Sequence, residues 1–216
     1  QGFWWMDLYD GWYDDPEIMR EIAALKRRSD QMRAVPHRSV SEVLLLVDED
    51  SIAHARVSYG LSMGLRKRLE REVRLCGAPI DLYRLKDLDD LPIDQYKVIV
   101  FLNAFYLPEA LRRRIMPRLP DGATLIWNYA PGILAPQFDM ENVRALTGFS
   151  IEPGPRHSKE VYDDIALDFP PLRVSGAPGV QALLKDEGIV CARRTRADGG
   201  VSVLAAEPCL RTDLIR

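Results

Sequence analysis

Glu42-Val43-Leu44-Leu45-Leu46-Val47-Asp48 is an unbroken apolar run with a carboxylate at each end. A strand with one wet face alternates apolar and polar residues, whereas a strand covered on both faces need not. This run has no alternation, so it reads as a buried strand of a parallel sheet. Working outward, Ile80-Asp81-Leu82-Tyr83, Lys97-Val98-Ile99-Val100-Phe101-Leu102 and Ala123-Thr124-Leu125-Ile126-Trp127 supply three further strands. Helical spacing of apolar residues fills Ala55 to Leu75, and Pro108 opens a helix over Glu109 to Met116. Strands alternating with helices at this spacing predict a doubly wound, mostly parallel sheet with right-handed crossovers. Past Phe149 the pattern changes. Ile189–Thr195 and Val201–Ala205 flank Ala197-Asp198-Gly199-Gly200, which predicts a hairpin and an antiparallel edge to the sheet.

Upstream lies a separate piece, residues 1–33. It opens with Phe3-Trp4-Trp5-Met6-Asp7-Leu8-Tyr9, read as a strand, and enters a helix at Asp14-Asp15-Pro16-Glu17. A capping Asp, Pro in the first turn and acidic residues at the positive end of the helix dipole make that start well specified. Ile18, Ile22 and Leu25 follow at helical spacing. One strand and one helix do not bury their own apolar faces, so the piece is expected to need a partner. Residues 34–41 form a polar linker, and residues 42–216 form the second domain. Arg211 to Arg216 start what reads as another helix, so the chain reads as cut at both ends.

Of the 216 residues, 47% are hydrophobic and 28% charged, the balance of a globular protein. Lys and Arg number 29 against 32 Asp and Glu, a net charge of −3 that lacks the basic footprint of nucleic-acid binding. No apolar stretch approaches the roughly 18 residues a membrane span needs. The three cysteines, Cys76, Cys191 and Cys209, are scattered without a Cys-x-x-Cys pattern, against a disulfide framework or a zinc site. They favour a reducing, cytoplasmic setting.

The segment Gly122-Ala123-Thr124-Leu125-Ile126-Trp127-Asn128-Tyr129-Ala130-Pro131-Gly132-Ile133-Leu134 resembles a known signature, Gly-Gly-Thr-Leu-Val-x-Thr-Tyr-x-Ser-Gly-Ile-Val. That signature belongs to the trimerisation domain of the β-galactosidases of glycoside hydrolase family 42. The resemblance implies a flavodoxin-like fold similar to class I glutamine amidotransferases. It also implies that residues 1–33 are the last strand and helix of a (β/α)8 barrel, a TIM-barrel remnant. Asn128 stands where Thr is usual, and Pro131 where Ser is usual. The implied role is a non-catalytic accessory and oligomerisation domain of a β-galactosidase-like enzyme. Its partners would be copies of itself, as a trimer, and carbohydrate through the parent barrel, with no nucleic acid and no membrane.

Glycoside hydrolysis generally needs two carboxylates, about 5 Å apart for retention. The resemblance places both upstream of Gln1, so no catalytic residue is expected here and the chain alone is expected to be inactive. Asp7 and Trp12 follow the barrel strand and are the candidates for the mouth of the parent's active site. In the second domain, Asp48, Asn103 and Asn128 end strands and would line a crevice at the strand C-termini. A small-molecule module using that crevice for a sugar or a nucleotide is the alternative reading. Glutamine hydrolysis would need a Cys on the turn after a central strand, with a downstream His and Glu. The candidate turns, Asn103-Ala104-Phe105 and Asn128-Tyr129-Ala130-Pro131, carry no Cys, and His37, His54 and His157 have no matching Glu. Asp48-Glu49-Asp50 and Asp89-Asp90 read as loop and cap residues rather than a metal site. No Gly-x-Gly-x-x-Gly follows a strand, so no cofactor is expected.

Overall fold

The computed structural model describes residues 15–54, 69–155, 161–162, 165–166 and 170–207. The chain divides into two compact units, Gln1–Ser39 and Val40–Arg216. In the first, helix α1 (Pro16–Arg33) starts where the capping residues place it. The Asp15 carboxylate accepts hydrogen bonds from the amides of Glu17 at 2.8 Å and Ile18 at 3.1 Å, satisfying two of the four donors a helix start leaves open. No residue of α1 is buried, and Ile18 keeps 42% of its surface exposed. The expected strand over Phe3–Tyr9, and with it Asp7 and Trp12, lies outside the described residues.

The second unit is built on a nine-stranded sheet. Its strands are β1 (Val43–Val47), β2 (Ile80–Arg84), β3 (Val98–Phe101), β4 (Thr124–Asn128), β5 (Ile151–Pro153), β8 (Leu172–Val174), β9 (Gln181–Lys185), β10 (Ile189–Thr195) and β11 (Val201–Ala205). A separate two-stranded pair holds β6 (Val161–Tyr162) and β7 (Ile165–Ala166). The order is β2-β1-β3-β4-β11-β10-β8-β5, with β9 also paired to β10. From β2 to β11 all neighbours run parallel, in the flavodoxin order in which the chain reverses direction across the sheet between β1 and β3.

The apolar runs form strands because both faces are covered. Leu44, Leu46, Ile99, Phe101, Leu125 and Trp127 belong to one core cluster, while Leu45, Val100, Leu102 and Ile126 belong to the other. Phe101 and Trp127 are neighbours in register, their rings stacked at 4.0 Å. The Trp127 indole N–H finds the Ser202 hydroxyl at 3.2 Å, so the ring is fully buried without an orphaned donor. The α-helices among the described residues of this unit are α2 (Glu49–His54), α3 (Leu69–Arg74), α4 (Glu109–Ile115) and α5 (Met140–Thr147). Of the helix expected over Ala55–Leu75, residues 55–68 lie outside the described residues and Leu69–Arg74 is helical. Cys209 and the helix expected at Arg211–Arg216 also lie outside them.

The hairpin forms as expected but does not end the sheet. β11 inserts parallel to β4, and β10 goes on to pair with β9 and β8, so the hairpin is interior and the antiparallel part beyond β11 runs β10-β8-β5 with β9 branching from β10. Gly200 makes the insertion possible: a Cβ there would meet the Ala123 carbonyl at 2.6 Å. Asp198 shapes the turn by accepting from the Gly200 amide at 3.0 Å.

Candidate functional site at the strand C-termini

The C-terminal ends of β1, β3, β4 and β11 lie along one edge, where an open parallel sheet forms its ligand crevice. Asp48 follows β1, Asn103 follows β3 and Asn128 ends β4, and all three are at least 95% buried (relative exposures of 5%, 2% and 2%). The structure brings Asp48 and Asn103 together across the direction switch. The Asn103 side-chain oxygen accepts from the Asp48 amide at 2.9 Å, and its NH2 donates to the Asp48 carbonyl at 2.8 Å. Asn128 makes the matching link on the other side of β3, its NH2 donating to the Leu102 carbonyl at 2.9 Å. The two asparagines thus prolong the sheet's ladder beyond the strands themselves.

The Asp48 carboxylate caps α2, accepting from the Ser51 amide at 3.0 Å and from the Ser51 hydroxyl. Ser51 in turn accepts from the Tyr106 amide at 2.8 Å, which ties the loop after β3 to the start of α2. Burial pushes the Asp48 carboxyl above its ordinary value, against the pull of the two Ser51 hydrogen bonds. Sequence reasoning missed Ser51 and Tyr106, although a Ser three positions after an Asp is a recognisable helix start. Of the described atoms of Asp48, Asn103 and Asn128, the Asn128 side-chain oxygen is buried without a hydrogen-bond partner.

Tyr129 occupies the turn after β4. Its backbone is left-handed, with φ of 63°, unusual for a residue with a ring. The hydroxyl donates to the Pro170 carbonyl at 2.9 Å, and burial raises its pKa further above the ordinary tyrosine value. Cys191 sits inside β10, fully buried, and Cys76 follows α3. Neither is on a strand-end turn. Among the described residues no group of three His, Cys, Asp or Glu is placed to hold a metal ion, and no helix is long and apolar enough to cross a membrane.

Just past β11, Glu207 forms a buried ion pair with Arg173 of β8, their side chains 13% and 4% exposed. Arg173 also donates to the carbonyls of Leu172 at 2.9 Å and Glu187 at 3.2 Å. At the opposite edge of the sheet a groove of 590 Å3 runs between Met116, Leu119 and Leu146 and the hairpin. Its arginines are engaged by the fold, Arg194 on the Gly148 carbonyl that ends α5 and Arg196 on Asp198.

No protein-family model and no curated protein sequence matches the chain. Solved structures do. A β-galactosidase from Bacillus circulans sp. alkalophilus superposes with a TM-score of 0.63 at 16% identity, over 94% of this chain and 34% of that one. A GH42 β-galactosidase from G. stearothermophilus gives 0.60 at 14% identity, over 88% of this chain and 31% of that one. An exo-β-1,4-mannosidase from Opitutaceae bacterium strain TAV5 gives 0.56 at 15%, over 87% and 34%. At these identities the likeness is one of fold: this chain has the architecture of a part of these proteins and spans about a third of their length.

Proposed function

We propose that this chain is a non-catalytic accessory and assembly domain of a glycoside hydrolase of the β-galactosidase type. The observation that carries the reading is the asymmetry of the match, nearly all of this chain against 31–34% of each glycosidase chain. Residues 1–33 are then the closing strand and helix of a (β/α)8 barrel, and Asp7 and Trp12 belong to the mouth of its active site. The rest acts through protein contacts. Two features support an inactive edge: the Asp48 carboxylate is committed to capping α2, and the turn after β4 carries Tyr129 in place of a nucleophile. The neighbours include a mannosidase, so the fold leaves the parent's sugar open. The unpartnered Asn128 oxygen favours a second reading, a small-molecule module in the crevice.

The test is oligomeric mass by light scattering on residues 1–216 and 34–216. Assembly through the second unit predicts the same trimeric state for both. α1 offers a second route to association, because Ile18 and Leu25 remain 42% and 38% exposed and uncovered apolar side chains favour any contact that excludes water. Loss of association on deleting residues 1–33 assigns it to that route, and a monomer at both lengths removes the assembly role.

A further inference from the structure

Three loops meet at the C-terminal edge, and their aromatic residues form a ledge. The His54 imidazole, at the end of α2, stacks on the Tyr106 ring from the loop after β3, centroids 3.8 Å apart and planes 11° from parallel. Tyr106 is bridged in parallel to Leu134 in the loop after β4, and Leu134 is bridged antiparallel to Phe138. Phe138 leaves 62% of its surface in solvent. Two strand spacings separate Tyr106 from Phe138, roughly 10 Å. Main-chain bonds hold the ledge in shape. The Leu134 amide donates to the Phe105 carbonyl at 2.9 Å, the Leu107 amide to the Leu134 carbonyl at 3.1 Å, and the Asp139 amide to the Ile133 carbonyl at 2.9 Å. The His54 Nδ1–H donates to the Asp50 carbonyl at 2.8 Å, which fixes the imidazole as well.

Charge selects the ligand. Residues 48–54, 102–108 and 128–139 contain Asp48, Glu49, Asp50 and Asp139 and not one Lys or Arg. Among the described residues, Arg84 and Lys86 at the end of β2 are engaged by Glu49. Within these three segments a phosphate-bearing ligand would meet carboxylates and no Lys or Arg, which favours an uncharged ligand over a nucleotide. A compact cation wants aromatic faces gathered around it, whereas these stand in a row. Exposed rings at His54 and Phe138 with the half-buried Tyr106 between them in the bridge register suit a flat, neutral, hydroxyl-rich ligand whose C–H faces lie against the negative faces of the rings. We propose that the His54–Tyr106 pair and Phe138 form a stacking ledge for a neutral oligosaccharide, adjacent sugar rings spanning the two positions. The ledge is distinct from the assembly role and does not depend on it.

Native gels cast with soluble β-1,4-galactan or β-1,4-mannan, and calorimetry with the corresponding tetrasaccharides, read the binding on the full chain. At least one glycan is expected to retard and bind the protein. Phe138→Ala and Tyr106→Leu should each weaken the affinity about tenfold, the loss of one stacked ring. Phe138 is exposed and Tyr106 bonds to Ser51 through its backbone, so melting temperature and light-scattering mass should hold in at least one variant. Three results overturn the proposal. Neither glycan binds; or both variants bind as tightly as the parent; or tetramethylammonium binds and displaces the tetrasaccharide, which would make the row a cation site. A loss of binding seen only together with a loss of assembly also counts against it.

Discussion

Replacing Glu207 by Gln should be the most damaging single-atom change among the described residues of the second unit. The carboxylate faces Arg173 with both side chains almost wholly withdrawn from water, at 13% and 4% exposure. The amide keeps the shape and removes one charge of this buried pair. Breaking a buried pair in this way costs about 3–5 kcal/mol. Arg173 retains the Leu172 and Glu187 carbonyls at 2.9 and 3.2 Å, which places the loss towards the lower end, about 3 kcal/mol. A Cβ on Gly154 would stand 3.0 Å from the Arg173 Nη1 and one on Gly188 2.9 Å from its Cδ, so both glycines let the backbone pack closely on this side chain. Urea unfolding followed by tryptophan fluorescence measures the effect, and with a slope of about 1–3 kcal/mol/M the midpoint should fall by about 1 M or more. The double replacement Arg173→Met with Glu207→Leu removes both charges together and should recover most of the loss. A cost below about 1 kcal/mol for Glu207→Gln, or a double variant less stable than the single one, would refute the assignment of a desolvated pair.

Asp48→Asn should become increasingly favourable as pH rises. The folded carboxyl titrates above its ordinary value of 3.8, so the native state holds the proton more tightly than the unfolded chain, and stability falls from about pH 4 upward through the raised value. The amide does not titrate, so the stability difference between variant and parent, measured by urea unfolding at pH 4 and pH 7, should shift towards the variant at pH 7; a constant difference contradicts the burial argument. Gly200→Ala should weaken the β4–β11 contact, because its Cβ falls 2.6 Å from the Ala123 carbonyl. Amide exchange in β11 should rise while β1 stays protected, and equal protection in both strands would show the contact to be slack. On the proposed accessory reading the chain should hydrolyse no aryl glycoside; turnover that survives repurification would end that reading.

The parallel half was legible because burial on both faces writes itself directly into composition. Val43–Val47 and Val98–Phe101 are apolar throughout, as is the Leu125–Trp127 centre of Thr124–Asn128, and each of the three is a strand. The antiparallel half was legible only at its hairpin, where Asp198-Gly199-Gly200 demands a turn. β5 and β8 have three residues each and carry Glu152 and Arg173, so neither period nor composition marks them. α5 was missed although both ends are signalled. Asp139 caps it by accepting from Glu141 at 2.9 Å, and Gly148 ends it in the left-handed region. Eight residues are too few for periodicity to outweigh the turn-like Ala135-Pro136-Gln137 before them.

The edge residues show where reading along the chain stops. Asp48, Asn103 and Asn128 were identifiable as polar residues at strand ends, yet what they touch depends on which strands are neighbours. Asp48 and Asn103 are 55 positions apart and meet only because β3 pairs beside β1. The same adjacency sets His54 on Tyr106 and makes the aromatic ledge. No local pattern encodes strand order, since parallel neighbours are joined by crossovers whose length carries no address. Once the order is known, the chemistry of the edge follows from ordinary rules. Polar groups nearest the strands are consumed in holding the loops, because a buried donor or acceptor left open costs about 1–3 kcal/mol. The His54 and Phe138 rings further out are left exposed by the fold, and it is there that the proposed stacking should be sought.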